Sequence, residues 1–124
     1  MSDKGSKVKN IGAWVLQVLL GLEFLIAGQA KFTAGELWAD NFEKWGYPDN
    51  LSYVIGALEL LGAVLLFIPK LASHAASMLA VIMLVAGITH FANGENGITP
   101  FIIMALLTLL WYLRKERAVP LRKG

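Results

Sequence analysis

The chain has 124 residues, 56% hydrophobic and only 16% charged, with a mean hydropathy of +0.59 and a formal net charge of +2. That is one domain's length with more apolar residue than a soluble core uses. The small positive charge, with no aromatic-flanked basic stripe behind it, argues against nucleic acid as a partner. The absence of cysteine removes disulfides, a thiolate nucleophile, thiolate metal sites and dithiol redox chemistry from the chain's own repertoire.

A basic head with Lys4, Lys7 and Lys9 precedes the first apolar run, residues 11–30. A run of roughly 20 residues at 1.5 Å each crosses the hydrocarbon core of a bilayer. A secretory signal peptide is the competing reading, because Ala27-Gly28-Gln29-Ala30 resembles a cleavage site. The length of the run and its internal Gln17 and Glu23 favour a span instead.

The next segment is too polar to cross a membrane. Thr33 and Glu36 fit a capping box, and Gly46 and Pro48 are stop signals, so a short helix is predicted over 34–45. Trp38, Phe42 and Trp45 recur on one face of it, while Glu36, Asp40, Glu43 and Lys44 lie on others. Such a helix either lies on the membrane surface, with the three aromatics as interfacial anchors, or covers the mouth of a bundle.

Three further apolar runs follow, over 51–68, 71–91 and 100–113. Pro69-Lys70 leaves room only for an antiparallel helical hairpin, and Asn93-Gly94-Glu95-Asn96-Gly97 makes a second tight turn. Thr99 before Pro100 reads as an N-cap with Pro at the first helical position. A soluble bundle would show a polar face on every helix. These runs are apolar almost all round, so the expected solvent is lipid.

The expected fold class is therefore all-α: a single polytopic membrane domain spanning residues 1–124, an antiparallel bundle of four transmembrane helices with a short amphipathic helix in its first outer loop. With the N-terminus inside, Lys4, Lys7, Lys9, Lys70, Arg114, Lys115, Arg117, Arg122 and Lys123 fall on the inner side, leaving only Lys31 and Lys44 outside. That asymmetry predicts cytoplasmic termini in a cell's inner (plasma) membrane.

Ionisable residues within spans are costly and normally pair, face the bundle interior or line a hydrated cavity. On the first helix Gln17, Gly21, Phe24, Gly28 and Lys31 form one stripe, and its two glycines permit close helix approach. Glu23 lies off that stripe, flanking the interface or pointing to a neighbouring subunit. Ser52, Gly56, Glu59, Gly62 and Ala63 share a small-residue face on the second span. Leu79, Met83, Ala86, Gly87 and His90 share one on the third. The candidate ligand-binding or proton-handling set is thus Glu59, Lys31 and His90 near the outer rim, with Gln17 deeper and Glu23 as a candidate partner contact. An internal Lys31–glutamate ion pair that only fixes packing is the plain alternative. No HxxxH or ExxH spacing supports a metal site, and His74 and His90, at opposite ends of one helix, do not suit a haem. His74 reads as an interfacial histidine.

Leu20-Gly21-Leu22-Glu23-Phe24, Ala27-Gly28 and Lys31-Phe32 resemble the first-helix signature of the DoxX family. Ile55-Gly56-Ala57-Leu58-Glu59 with Gly62 is similar to its second-helix glutamate motif, and His90 and Thr99-Pro100-Phe101 to weaker family features. The resemblance runs from Ile11 to Leu113. Many DoxX proteins have Arg where this chain has Gln17, and an aliphatic residue where it has Glu23. The resemblance implies a four-helix membrane bundle acting as a small subunit or accessory protein, as in the quinone-linked subunit of a thiosulfate-oxidising enzyme or in receptor-assembly chaperones. It implies a quinone as the candidate cofactor, held by Glu59, Lys31 and His90, within a membrane oxidoreductase system. An assembly or stabilising partner of a larger membrane protein, a homo-oligomer, and a small-solute carrier are the other readings.

Overall fold

The computed structural model describes residues 3–118, so Arg122 and Lys123 of the orientation argument lie outside the described residues. Five α-helices follow one another: α1 (Asp3–Thr33), α2 (Gly35–Lys44), α3 (Leu51–Leu66), α4 (Pro69–Ala92) and α5 (Ile98–Arg114), with a 3₁₀ turn at Lys115–Arg117. Helix α1 begins before the apolar run because hydropathy marks where the chain can enter lipid, not where its hydrogen-bond ladder starts.

The long helices form a closed ring. Helix α1 packs mainly on α3, α3 on α4, α4 on α5, and α5 returns to α1. Helices α1 and α4 are thus diagonal, and α2 lies across one end against α3 and α1. That end is called here the α2 end, and the opposite one the terminal end.

Helices α1, α4 and α5 are each long and apolar enough to cross a membrane. Helix α3 has 16 residues, about 24 Å of rise, and apolar Phe67 and Ile68 extend it before Pro69 opens α4. Most outward-facing side chains on these helices are apolar: Leu19 is 60% exposed, Ile26 68% and Ile102 55%. The interior holds polar residues, with Gln17, Lys31, Ser52, Glu59, Thr89 and Arg114 all buried beside Phe24, Leu66, Leu79, Leu107 and Leu110. An apolar exterior around a partly polar core is the distribution lipid demands, since unpaired polar groups cannot face hydrocarbon. Together these features make the chain an all-α, polytopic membrane bundle.

Two predicted helix starts differ from the structure. Thr33 does not cap α2: its Oγ1 donates to the Gln29 carbonyl at 3.3 Å, and the Ala34 amide donates to Ala30 O at 2.8 Å. The ladder of α1 therefore runs on, and the bend into α2 occurs at Ala34 itself (φ −111°, ψ 44°) without a side-chain cap. Helix α5 likewise starts at Ile98 rather than Pro100, with Gly97 as its N-cap residue and the Asn96 side chain accepting from the Ile98 amide at 3.0 Å. Pro100 sits in the first turn, where an amide has no i−4 carbonyl to lose.

Candidate functional site

Close approach of α1 and α3 builds the site. A Cβ on Gly28 would stand 2.8 Å from the Gly56 carbonyl oxygen, and one on Gly56 would stand 2.9 Å from Lys31 Cβ. The paired glycines thus let the backbones meet and clear a path for the Lys31 stem. Every member of the first-helix stripe, Gln17, Gly21, Phe24, Gly28 and Lys31, is buried, as are Ser52, Gly56, Glu59, Gly62 and Ala63 on α3.

At that crossing Lys31 Nζ lies 2.8 Å from Glu59 Oε1, with the two side chains 8% and 2% exposed. The same ammonium lies 4.2 Å from the centroid of the Trp38 ring on α2. A desolvated cation between a carboxylate and an indole face is held from two sides, and neither charge is left alone in a low-dielectric interior.

The pair forms part of the wall of a cavity of about 420 Å³, within the roughly 300–1,000 Å³ range of small-molecule sites. Helix α2 contributes Trp38 and Phe42, and Trp45 follows at its C-cap, so the amphipathic helix covers the bundle mouth with its aromatic face turned inward. Helix α3 adds Leu51, Ile55 and Glu59, and α4 supplies an apolar back wall that includes Val81, Met83 and Ala86 before reaching Thr89 and His90. Most of the surface is apolar, and its charged or ionisable groups include Glu23, Lys31, Glu59 and His90.

Helix α2 is fastened over the cavity by one carboxylate. Glu95, in the α4–α5 turn, is 2.7 Å from His90 Nδ1, 3.0 Å from Lys44 Nζ, and accepts from Trp45 Nε1 at 3.2 Å. Hydrogen bonding to His90 first, then to Lys44, holds the Glu95 carboxyl well below its ordinary value, at about 2. The Tyr47 and Thr89 hydroxyls share a second link at 2.7 Å. The turn that carries Glu95 depends on Gly94 at φ +74°, a left-handed conformation natural to glycine.

The sequence-derived candidates thus separate. Lys31, Glu59 and His90 meet on one cavity, together with the three aromatics expected as anchors. Gln17 belongs elsewhere: its Nε2 donates to Leu66 O at 2.8 Å and its Oε1 accepts from Arg114 Nε at 2.7 Å, towards the terminal end. Arg114, read from sequence only as a topology marker, is 2% exposed and also donates to Asn10 Oδ1 at 2.9 Å. Glu23, although off the internal stripe, lines the cavity, because the cavity extends to that flank of α1. Sequence reasoning missed Tyr47, Thr89 and Glu95. In sequence Thr89 is marked only by preceding His90, and Glu95, five residues after it, only as part of a tight polar turn.

A sequence model of the DoxX-like family matches residues 15–113. A Bacillus subtilis (strain 168) protein named "Putative oxidoreductase CatD" is 35% identical over 83 residues, which is 67% of this chain and 61% of that protein. The chain therefore spans about three fifths of that relative's length. No solved structure matches it. The matched segment takes in α2, α3 and α4 whole, the greater part of α1 and α5, and every residue named in the cavity wall, and the chain belongs to the DoxX-like family.

Proposed function

We propose that the chain is a membrane-embedded subunit of an oxidoreductase system, and that its cavity holds the headgroup of a quinone. The observation that carries this reading is the buried Lys31–Glu59 pair in the wall of an otherwise apolar, aromatic-covered cavity. A flat ring with carbonyl oxygens on its edge suits that lining. Indole and phenyl faces accept the ring, and an ammonium beside it donates to a carbonyl oxygen. The quinone, when bound, supplies the electron-accepting chemistry. Lys31 orients one oxygen, Glu59 holds the ammonium in place, and His90 borders the cavity at the α2 end. The name of the Bacillus relative, "Putative oxidoreductase CatD", is consistent with such a role.

In this reading the protein sits in the plasma membrane with both termini cytoplasmic, which places the α2 end and its cavity on the outer side. The partner-contact reading of Glu23 rested on that residue standing apart from the internal face. Its position on the cavity wall supports a ligand role instead. Glu59→Gln and His90→Ala are each expected to lower quinone-dependent electron transfer in native membranes at least several-fold at unchanged insertion. Unchanged turnover in both variants would overturn the reading.

A further inference from the structure

The terminal end holds positive charge that no described residue answers. Arg114, the last residue of α5, is buried, yet its partners are neutral. Its Nε and Nη1 donate to the amide oxygens of Gln17 and Asn10 at 2.7 and 2.9 Å, and the centroid of the Trp14 ring lies 5.7 Å from its guanidinium carbon. Nη2 is buried without a hydrogen bond. A guanidinium in a protein stays charged, so amides and a ring fix its geometry and leave the charge standing.

Two further cations converge on the same junction. Lys9 Nζ from α1 and Lys115 Nζ, at the C-cap of α5, lie 5.5 and 4.8 Å from the centroid of the Tyr112 ring. Lys115 also stands 5.3 Å from the Trp111 ring. Lys9 is next to Asn10 in the chain, and Lys115 next to Arg114. The hydrogen bond that joins the two helices there thus gathers three cations at one place. None of the three has a carboxylate within ion-pair distance among the described residues, and exposed Glu116 pairs with none of them. Each ring face attracts its own cation but leaves the repulsion between cations in place. An anion from outside the chain removes it.

The junction stands at the level of phospholipid headgroups. Helices α1 and α5 are both long and apolar enough to cross a membrane, and the cations lie near the beginning of one and at the end of the other. Trp14, Trp111 and Tyr112 are exposed beside them, and exposed Trp and Tyr at the end of a span mark the membrane interface. Clustered Lys and Arg next to a span attract acidic headgroups. An acidic peptide would meet the same charges but would leave the aromatic and apolar flanks unused.

We propose that this α1–α5 junction is a binding site for one anionic phospholipid, whose phosphate accepts from Lys9 and Lys115 while its acyl chains stay in the bilayer. Tyr112 holds the two ammoniums around one ring, within reach of a single headgroup. Arg114, sealed beneath, contributes its field and not a contact. The site is independent of the quinone reading, since neither Lys9 nor Lys115 borders the cavity.

The test titrates the full chain in detergent with phosphatidylglycerol or phosphatidylcholine of the same acyl chains, and counts bound lipid by native mass spectrometry. Both probes carry a phosphate, and only the first has a net negative charge. The unsubstituted chain should bind its first phosphatidylglycerol at least about tenfold more tightly than phosphatidylcholine. Lys9→Gln/Lys115→Gln should bring that preference down to about twofold or less. Lys7→Gln/Lys70→Gln removes the same charge from exposed positions, one about 200° round α1 from Lys9 and the other on α4, and should keep the preference. Glycerol 3-phosphate, a headgroup without chains, should displace none of the bound lipid. Equal loss in the two double variants would mean diffuse attraction and would overturn the site, as would equal affinity of the unsubstituted chain for both lipids. Displacement by glycerol 3-phosphate would overturn the assignment to a lipid.

Discussion

Lys31 on α1 and Glu59 on α3 are joined at 2.8 Å inside the bundle, beside the crossing where Gly28 and Gly56 bring their helices together. The pair is a consequence of that crossing as much as a cause of it. Removing one partner strands a desolvated charge, which typically costs about 3–5 kcal/mol, whereas replacing both by apolar groups of similar size costs much less. Lys31→Met and Glu59→Leu singly are therefore expected to destabilise the protein strongly, and the double variant to recover most of the loss. Unfolding of all four proteins in the same detergent, closed as a double-mutant cycle, checks this.

The terminal end should behave as a separate structural unit. Gln17→Leu removes the partners of Leu66 O and of Arg114 Nε, and Arg114 Nη2 is already buried without a hydrogen bond. A loss of about 1–3 kcal/mol per orphaned group is expected. Gln17 lies about 21 Å along α1 from Lys31 by rise per residue, so quinone affinity should stay within about twofold. Thermal unfolding and a binding titration on the same preparation measure both.

Gly28→Ala tests the helix crossing. The added methyl would meet Gly56 O and Leu60 Cγ, each at 2.8 Å. Backbone must yield, because the carbonyl oxygen cannot move away alone. A cost of about 1–3 kcal/mol is expected, read as a lower unfolding midpoint, together with weaker ligand binding as Lys31 is displaced.

Acid should loosen the fastening of α2. The Glu95 carboxyl titrates at about 2 in the folded protein against an ordinary 4.5. A depressed carboxyl stabilises the state that depresses it above the ordinary value, and that contribution is lost as the pH falls from 4.5 towards 2. The groups facing it are His90 from α4, and Lys44 and Trp45 from the α2 region. Trp45 fluorescence should change across that window in the unsubstituted chain. In Glu95→Gln the acid transition should vanish, with the spectrum already in its loosened form at neutral pH.

Much of this was legible in the sequence because lipid imposes a simple rule. Runs apolar on all sides had to span, and small or polar residues recurring along one face, as in Gln17, Gly21, Phe24, Gly28 and Lys31, had to turn inward. Periodicity could not say which polar residues would meet. Gln17 and Lys31 share a stripe yet serve opposite ends, since their partners come from Arg114 and Leu66 in one case and Glu59 in the other. Arg114 looked like one more cytoplasmic charge, and nothing local marks its burial. Glu23 stands off the internal stripe, and nothing local shows that a cavity reaches that flank of α1. The expected Thr33 cap failed for a similar reason, because α1 continues where local signals suggested a fresh start.

A quinone headgroup held in the cavity beside Lys31 and Glu59 should leave the membrane together with the protein. Gentle extraction of the protein from native membranes, followed by mass spectrometry of co-purifying small molecules, measures this directly. About one quinone per unsubstituted chain is expected, with most of it lost from the folded Lys31→Met/Glu59→Leu variant. No quinone above the level of bulk lipid carry-over, or the same ratio in both proteins, would contradict it.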